Sequence, residues 1–195
     1  MTLPSAPRGR PRDSRAHQAI LTATAELVTE LGYADTSIGA VAARAGVGKD
    51  TIYRRWSGKA ELVYEAVFTQ TEAVPAPDTG SLTGDLTALL EALIQEFSTP
   101  AAAAALPGLL ADFAGSPELQ VRIRSDFLTP AKDGLAPVFE RAVQRGEANP
   151  GLPVDLVLDT LAGAVFFHVA LVGEQPGPQL ATQLAAIVGR GIETR

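Results

Sequence analysis

The side chains best suited to chemistry in this sequence fall in one short stretch, Ala42-Ala43-Arg44-Ala45-Gly46-Val47-Gly48-Lys49-Asp50-Thr51-Ile52-Tyr53-Arg54-Arg55-Trp56. Lys49, Thr51, Tyr53, Arg54 and Arg55 are cations and hydroxyl donors on one helical segment. Such a set fits hydrogen bonding to phosphates and base edges in a major groove, where Lys and Arg favour guanine. Two helical segments meet at a glycine: Ala42 is small enough for close packing, Gly46 suits a turn of positive φ, and Ile52 plugs the second segment into a core. This is the pattern of a helix-turn-helix. A solvated basic helix is the plainer alternative, but it does not require small residue, glycine and apolar plug at this spacing. Thr51 and Tyr53 are expected on phosphates, and Lys49, Arg54 and Arg55 on bases. Asp50 either complements the helix dipole or accepts from cytosine N4. Gly48-Lys49 is no phosphate loop, which needs glycine at Ala43, a hydroxyl residue at Asp50 and a preceding strand.

These residues must be held by flanking helices. Asp13 or Ser14 caps a helix running to about Leu31, where Gly32 stops it. Ile20, Leu21, Leu27 and Val28 recur on its inner face. Tyr33 reads as a core wedge and His17 as a solvated surface histidine. Thr36 and Ser37 offer caps to a second helix, whose Ile38, Val41 and Ala42 face inward. Ser57-Gly58 breaks the recognition helix, and a fourth helix starts at Lys59. Before all of these, Met1 to Arg12 holds three prolines and no apolar periodicity, and is expected to be disordered when free. Its Arg8-Gly9-Arg10-Pro11-Arg12 is either the core of an AT-hook, laying Arg8, Arg10 and Arg12 in a narrow minor groove, or an unspecific basic tail.

Residues 14 to 64 resemble the DNA-binding domain of tetracycline-repressor-like (TetR-family) regulators, through the run Thr51-Ile52-Tyr53-Arg54-Arg55-Trp56 with Lys59 and Leu62. The resemblance implies an all-α homodimeric repressor. Three N-terminal helices would bind a double-stranded operator, and a larger helical domain would bind a small-molecule effector and dimerise. It also implies that Ser37 and Lys59 touch phosphates. Gly39 departs from the family pattern, since it has no side chain for the DNA contact made at that position. Gly48 departs as well, standing where a serine cap is common. The expected division is an arm at 1–12, a helix-turn-helix domain at 13–58 and a ligand-binding and dimerisation domain at 59–195.

Charge distribution agrees with a nucleic-acid partner for the head alone. The net charge is −6, yet residues 1–60 hold nine Lys or Arg against five Asp or Glu, and the remainder seven against seventeen. A basic head on an acidic body suits a chain that meets phosphate at one end. The absence of cysteine excludes disulfides and thiolate metal sites, so a cytoplasmic setting and no cofactor are expected. No secretory signal is read at the N-terminus, and no membrane span is expected, because the longest uncharged apolar run, Thr160 to Gly173, falls short of the ~20 residues needed.

The body reads as helices. Val74 to Ser81 is a loop, and a helix follows through Leu86, Leu90, Ile94 and Phe97 to a stop at Pro100. Pro107-Gly108 should bend or split the next helix, and the pattern after Ser116 should kink near Thr129. An inward-facing Arg122 or Arg124 would suggest an anionic ligand. From Pro153 to Gly173 apolar residues cover nearly the whole helix circumference, so one face calls for a partner. Leu161, Ala164 and Val165, with Leu184, Ile187 and Val188 of the last helix, are the expected homodimer interface. Phe68, Phe97, Phe113, Phe127, Phe167 and His168 are the candidate lining of a pocket for an apolar or amphipathic effector. The competing reading is a helical small-molecule-binding protein or enzyme with an incidental head, but no polar constellation in the body supports it.

Overall fold

The computed structural model describes residues 10–69, 76–173 and 176–193, and among them every regular element is helical. Ten α-helices follow one another: α1 (Arg10–Asp35), α2 (Ile38–Ala45), α3 (Lys49–Tyr53), α4 (Lys59–Phe68), α5 (Leu82–Phe97), α6 (Pro100–Gly115), α7 (Pro117–Ile123), α8 (Thr129–Gln144), α9 (Val154–Val165) and α10 (Leu180–Ile192). Two π turns, Arg124–Leu128 and Phe166–Leu171, join α7 to α8 and extend α9.

Three apolar clusters hold the chain. Ile20, Leu21 and Leu27 of α1, Val41 and Ala42 of α2, Ile52 and Trp56 around α3, and Leu62 and Ala66 of α4 form the core of the head. Leu86, Leu90, Val138, Phe139, Leu158, Leu161 and Val165 centre the body, between α5, α8, α9 and α10. Between them, Val28 and Tyr33 of α1, Val63 of α4 and Ala105 and Leu109 of α6 make the joint. At the far end of the body Asp85 is wholly buried. It accepts from the Thr79 backbone N–H and hydroxyl, and its other oxygen lies 3.3 Å from Arg145, which also meets Glu147 at 3.1 Å. This pairing compensates a charge that would be prohibitive alone.

Several expectations are corrected. The first helix begins at Arg10, so Arg10 and Arg12 belong to its opening turn and not to an extended arm. Arg8 lies outside the described residues. Gly32 does interrupt the helical backbone, with φ 81°. Helix α6 is not split at Pro107-Gly108: Thr99 caps it, Pro100 opens it, and it runs through to Gly115. Pro107 gives up one hydrogen bond on an exposed face, while Gly108 packs under Tyr33. The kink expected near Thr129 takes the form of the first π turn, ending at Leu128. The expectation of no membrane span is not overturned: α9 with its π turn, Val154–Leu171, is among the described residues long and apolar enough to cross a membrane by length and composition alone. One stripe of it, Val157, Leu158, Leu161 and Val165, packs into the body core.

Candidate functional site

The turn between α2 and α3 follows from its sequence. Gly46 sits in the left-handed region with φ 66° and donates its N–H to the end of α2, while Val47 N–H reaches Ala42 O at 3.0 Å. Arg44 ties α2 to α1 through Glu30 at 2.8 Å and Glu26 at 3.4 Å. The Arg44 hydrogen bond holds the Glu30 carboxyl below its ordinary range, and the pair is exposed, so it orients more than it stabilises. Ile52 is fully buried beneath α3, which turns the opposite face outward.

That face carries most of the side chains expected on DNA. Lys49, Asp50 and Arg54 are exposed, Thr51 is half-buried, and Tyr53 is 55% exposed. Ser37 is the N-cap of α2, accepting from Ala40 N–H at 3.2 Å, which leaves its own hydroxyl proton to donate outward. Asp50 stands in the first turn of α3, as its dipole role requires. Arg55 differs: its guanidinium donates back to Thr51 O at 2.9 Å. Gly39 acquires a physical reason. A Cβ there would lie 3.2 Å from Lys49 Cε, so glycine lets the Lys49 stem lie across α2. Gly48 caps α3 in an extended conformation without a side-chain bond, and has open space around it.

Lys59 does not stand free as a phosphate hook. Its ammonium donates to Tyr33 O at 3.0 Å and Ala34 O at 3.4 Å, and lies 4.2 Å above the Tyr33 ring. Lys59 therefore clasps the end of α1 to the start of α4, with one N–H left over. Tyr33 reaches onward to the body, its hydroxyl donating to Asp112 of α6. Burial first, and the Asp112 contact second, raise the Tyr33 hydroxyl well above the ordinary phenol range. Glu61, also buried, accepts from the Ser57 N–H at 2.8 Å and lies 3.5 Å from Arg122 of α7. Arg122 is thus explained by a protein carboxylate. His17 corrects the surface reading: it stacks on Trp56 at 5.2 Å and lies 3.0 Å from Glu65. These partners, remote in sequence, meet where α1, α3 and α4 converge. A cleft of about 440 Å³ lies beside this joint, lined by Ser57, Gly58, Lys59, Glu61, Asp112 and Ser116 among others.

The aromatic residues form a column rather than a scatter. Tyr64 of α4 meets Phe113 at 6.1 Å, Phe127 of the first π turn at 5.3 Å and Phe68 at 5.4 Å. Phe68 meets Phe97 of α5 at 5.6 Å, and Phe97 meets Phe166 of the second π turn at 6.1 Å. Four of the expected rings, Phe68, Phe97, Phe113 and Phe127, are therefore linked through Tyr64. Phe167 is not among them: it is 53% exposed, and Phe166 takes its place. The phase of α9 is the reason: with Leu158, Leu161 and Val165 facing the core, about 100° per residue puts Phe167 about 200° round from Val165 and Phe166 only about 100° from it. His168 packs edge-on to Phe167 at 5.9 Å, off the column. Glu96, which sequence reading passed over, is half-buried and precedes Phe97 on α5. Desolvation pushes its carboxyl up to about 7, and its charge helps burial to raise the Tyr64 hydroxyl.

The interface residues also sort differently. Leu161 and Val165 are 1% and 0% exposed inside their own chain and cannot meet a partner. Leu184 and Val188 are partly buried against the same core, and Ala164 is half-buried. The apolar surface left open is Leu156, Phe167, Leu171 and Val172 on one helix, with Ile187, 65% exposed, on the next.

Comparison with known proteins follows the same division. Residues 20–66 match the family model described as bacterial regulatory proteins, tetR family, and residues 76–188 match that of the tetracyclin repressor-like C-terminal domain. The chain is 32% identical over 188 residues to the HTH-type transcriptional regulator AqdR of Rhodococcus erythropolis, covering 96% of this chain and 90% of that one. It is 29% identical over 187 residues to the uncharacterized HTH-type transcriptional regulator YdeS of Bacillus subtilis (strain 168), covering 95% and 94%. Among solved structures, the TetR family transcription regulator SCO0332 superposes with a TM-score of 0.74 at 25% identity, over 92% of this chain and all of that one. With a helix-turn-helix head, an all-α body and both family models matched in order, the chain belongs to the tetR family of bacterial transcriptional regulators and is not an enzyme.

Proposed function

We propose that the chain is a cytoplasmic, ligand-responsive repressor. It binds a near-palindromic operator as a homodimer and is released when a small effector enters the aromatic column. The single observation that supports this most is continuity: the column passes through Tyr64 and Phe68 at one end of α4, and the other end of α4 is Lys59, clasped to the end of α1. A group that parts these rings moves α4, and α4 carries the head. The functional division then falls near 13–58 for the head and 59–195 for the body, with the basic N-terminal residues including Arg8 adding unspecific attraction to DNA.

In this reading Ser37, Thr51 and Tyr53 bond phosphates, Lys49 and Arg54 read bases, Arg55 reads one only by leaving Thr51 O, and the remaining N–H of Lys59 meets a phosphate. Dimerisation uses the open apolar surface of α9, its π turn and α10. Two recognition helices must then sit about 34–36 Å apart to enter successive major grooves. The test is a mobility-shift titration on the DNA upstream of the chain's own gene. Tyr53→Phe should weaken every operator variant alike, by about tenfold or more, through one lost bond to a charged group. Arg54→Ala should instead change the preference among variants at one base pair. Equal effects of both on all sequences would remove this division of roles.

A further inference from the structure

We propose that Glu65 of α4 is a positioning residue for operator reading: it sets the orientation of the recognition helix by holding the far end of that helix and α1 on the two oxygens of one carboxylate. This rests on the reading in which α4 carries the head, and adds the contact that joins the two. Helix α3 spans five residues, Lys49–Tyr53, and Gly48 gives its N-terminus no side-chain cap. So short a helix does not hold its own direction, and what grips it decides where it points. Ile52 is its buried plug, and Trp56, 2% exposed, anchors the segment that follows it. The Trp56 indole N–H donates to Glu65 Oε2 at 2.5 Å. Glu65 Oε1 lies 3.0 Å from His17 Nε2 of α1, and the His17 ring stacks on the Trp56 indole at 5.2 Å with 16° between the planes.

A buried indole N–H needs an acceptor, and a nearby backbone carbonyl would meet that need alone. Here the acceptor comes from another helix, and its second oxygen engages a third. A shift of α4 therefore pulls on Trp56 and His17 together. One turn earlier on the same face of α4, Glu61 accepts the Ser57 N–H at 2.8 Å, so the two residues Trp56 and Ser57 behind the recognition helix are both tied to α4. Tyr64, the residue before Glu65, belongs to the aromatic column, 5.3 Å from Phe127. A change at the column thus has a route to α3 that does not pass through Lys59. Because one side chain must meet two partners at once, its reach matters more than its charge. Glutamine has the same reach, with an oxygen for the indole and an amide for the imidazole, whereas aspartate keeps the charge and is one methylene short.

The experiment compares Glu65→Gln with Glu65→Asp in the full chain, by mobility shift on a duplex from upstream of its own gene that wild type binds, and by the emission of Trp56, the one tryptophan in the sequence. Glu65→Gln should bind within about threefold of wild type and keep the emission maximum and acrylamide quenching of Trp56. Glu65→Asp should bind at least about tenfold more weakly, blunt the preference among operator variants at the base pair read by Arg54, and change the quenching. A role in stability alone would lower the melting temperature while leaving the emission of the folded chain and the order of preference as in wild type, and that result overturns the proposal. So do wild-type binding by both variants, equal loss in both, and loss in Glu65→Gln but not in Glu65→Asp. Should Glu65→Asp fail to fold, His17→Ala, at a half-buried position, still decides: it removes the α1 partner and should weaken the operator and expose Trp56 to acrylamide, and no change in either would overturn the proposal. Lys59→Ala separates the two layers of inference. If it weakens the operator while the Glu65 and His17 variants match wild type, α4 still carries the head and only Glu65 loses its role. If none of these substitutions alters binding, the reading of α4 as the carrier falls as well.

Discussion

At the scale of single residues, Glu96 has a measurable consequence for stability. Its carboxyl titrates near 7 in the folded chain against an ordinary 4.5, because burial penalises the charge. Between these values the folded chain keeps a proton that the unfolded chain releases, so stability should fall as pH rises through that window and level off above it. Glu96→Gln should remove this fall and, allowing for partial exposure, stabilise the chain at pH 8 by about 1–2 kcal/mol. Urea unfolding at pH 5 and pH 8, at one fixed chain concentration, would check it; a variant no more stable than wild type at pH 8 would mean the carboxylate is already compensated. Nothing around Glu96 in the sequence announces this, since the burial of a carboxylate is decided by helices folded over it. The same holds for His17, whose ring partner Trp56 and acid partner Glu65 meet it only in three dimensions. Gly46 and Ile52 were legible because their roles depend on neighbours within one or two helical turns.

At the scale of elements, α1 and α6 approach closely where Tyr33 lies on Gly108. A Cβ on Gly108 would stand 2.1 Å from Tyr33 Cδ1, closer than any real contact, so Gly108→Ala must drive the ring aside. That movement breaks both the bond to Asp112 and the stacking under Lys59. The expected cost is about 1–3 kcal/mol in denaturant unfolding, whereas Gly115→Ala, with open space at the end of the same helix, should cost nothing. Similar losses from both would show that the joint relaxes freely. The elements themselves were largely readable, because apolar residues return at helical spacing in every one of them. What escaped were the places where period 3.6 fails. Two π turns interrupt the period at 124–128 and 166–171, and α6 runs on through a proline expected to bend or split it, with Gly108 packed under Tyr33.

At the scale of the whole molecule, open apolar surface at one end and exposed basic groups at the other make operator affinity depend on pairing of chains. Phe167→Glu places a charge on the open face without disturbing the core. It should yield monomers in sedimentation and weaken a two-half-site operator by at least about a hundredfold, through loss of effective concentration, while leaving single half-site binding alone. A dimer that survives the charge would move the interface elsewhere. The reading of this interface from sequence was half right in physical terms: two apolar faces on one helix were visible, but periodicity does not say which of them the chain covers for itself, and Leu161 and Val165 proved to be on the covered side. The two π turns have a further meaning when the molecule is considered over its descent. A π turn holds one residue more than an α turn, so deleting a residue inside 124–128 or 166–171 restores an ordinary turn and keeps the flanking helices in phase. The same deletion elsewhere would rotate every later side chain by about 100°. The segments that shape the aromatic column are therefore also those where related chains can differ in length by one residue and still fold alike.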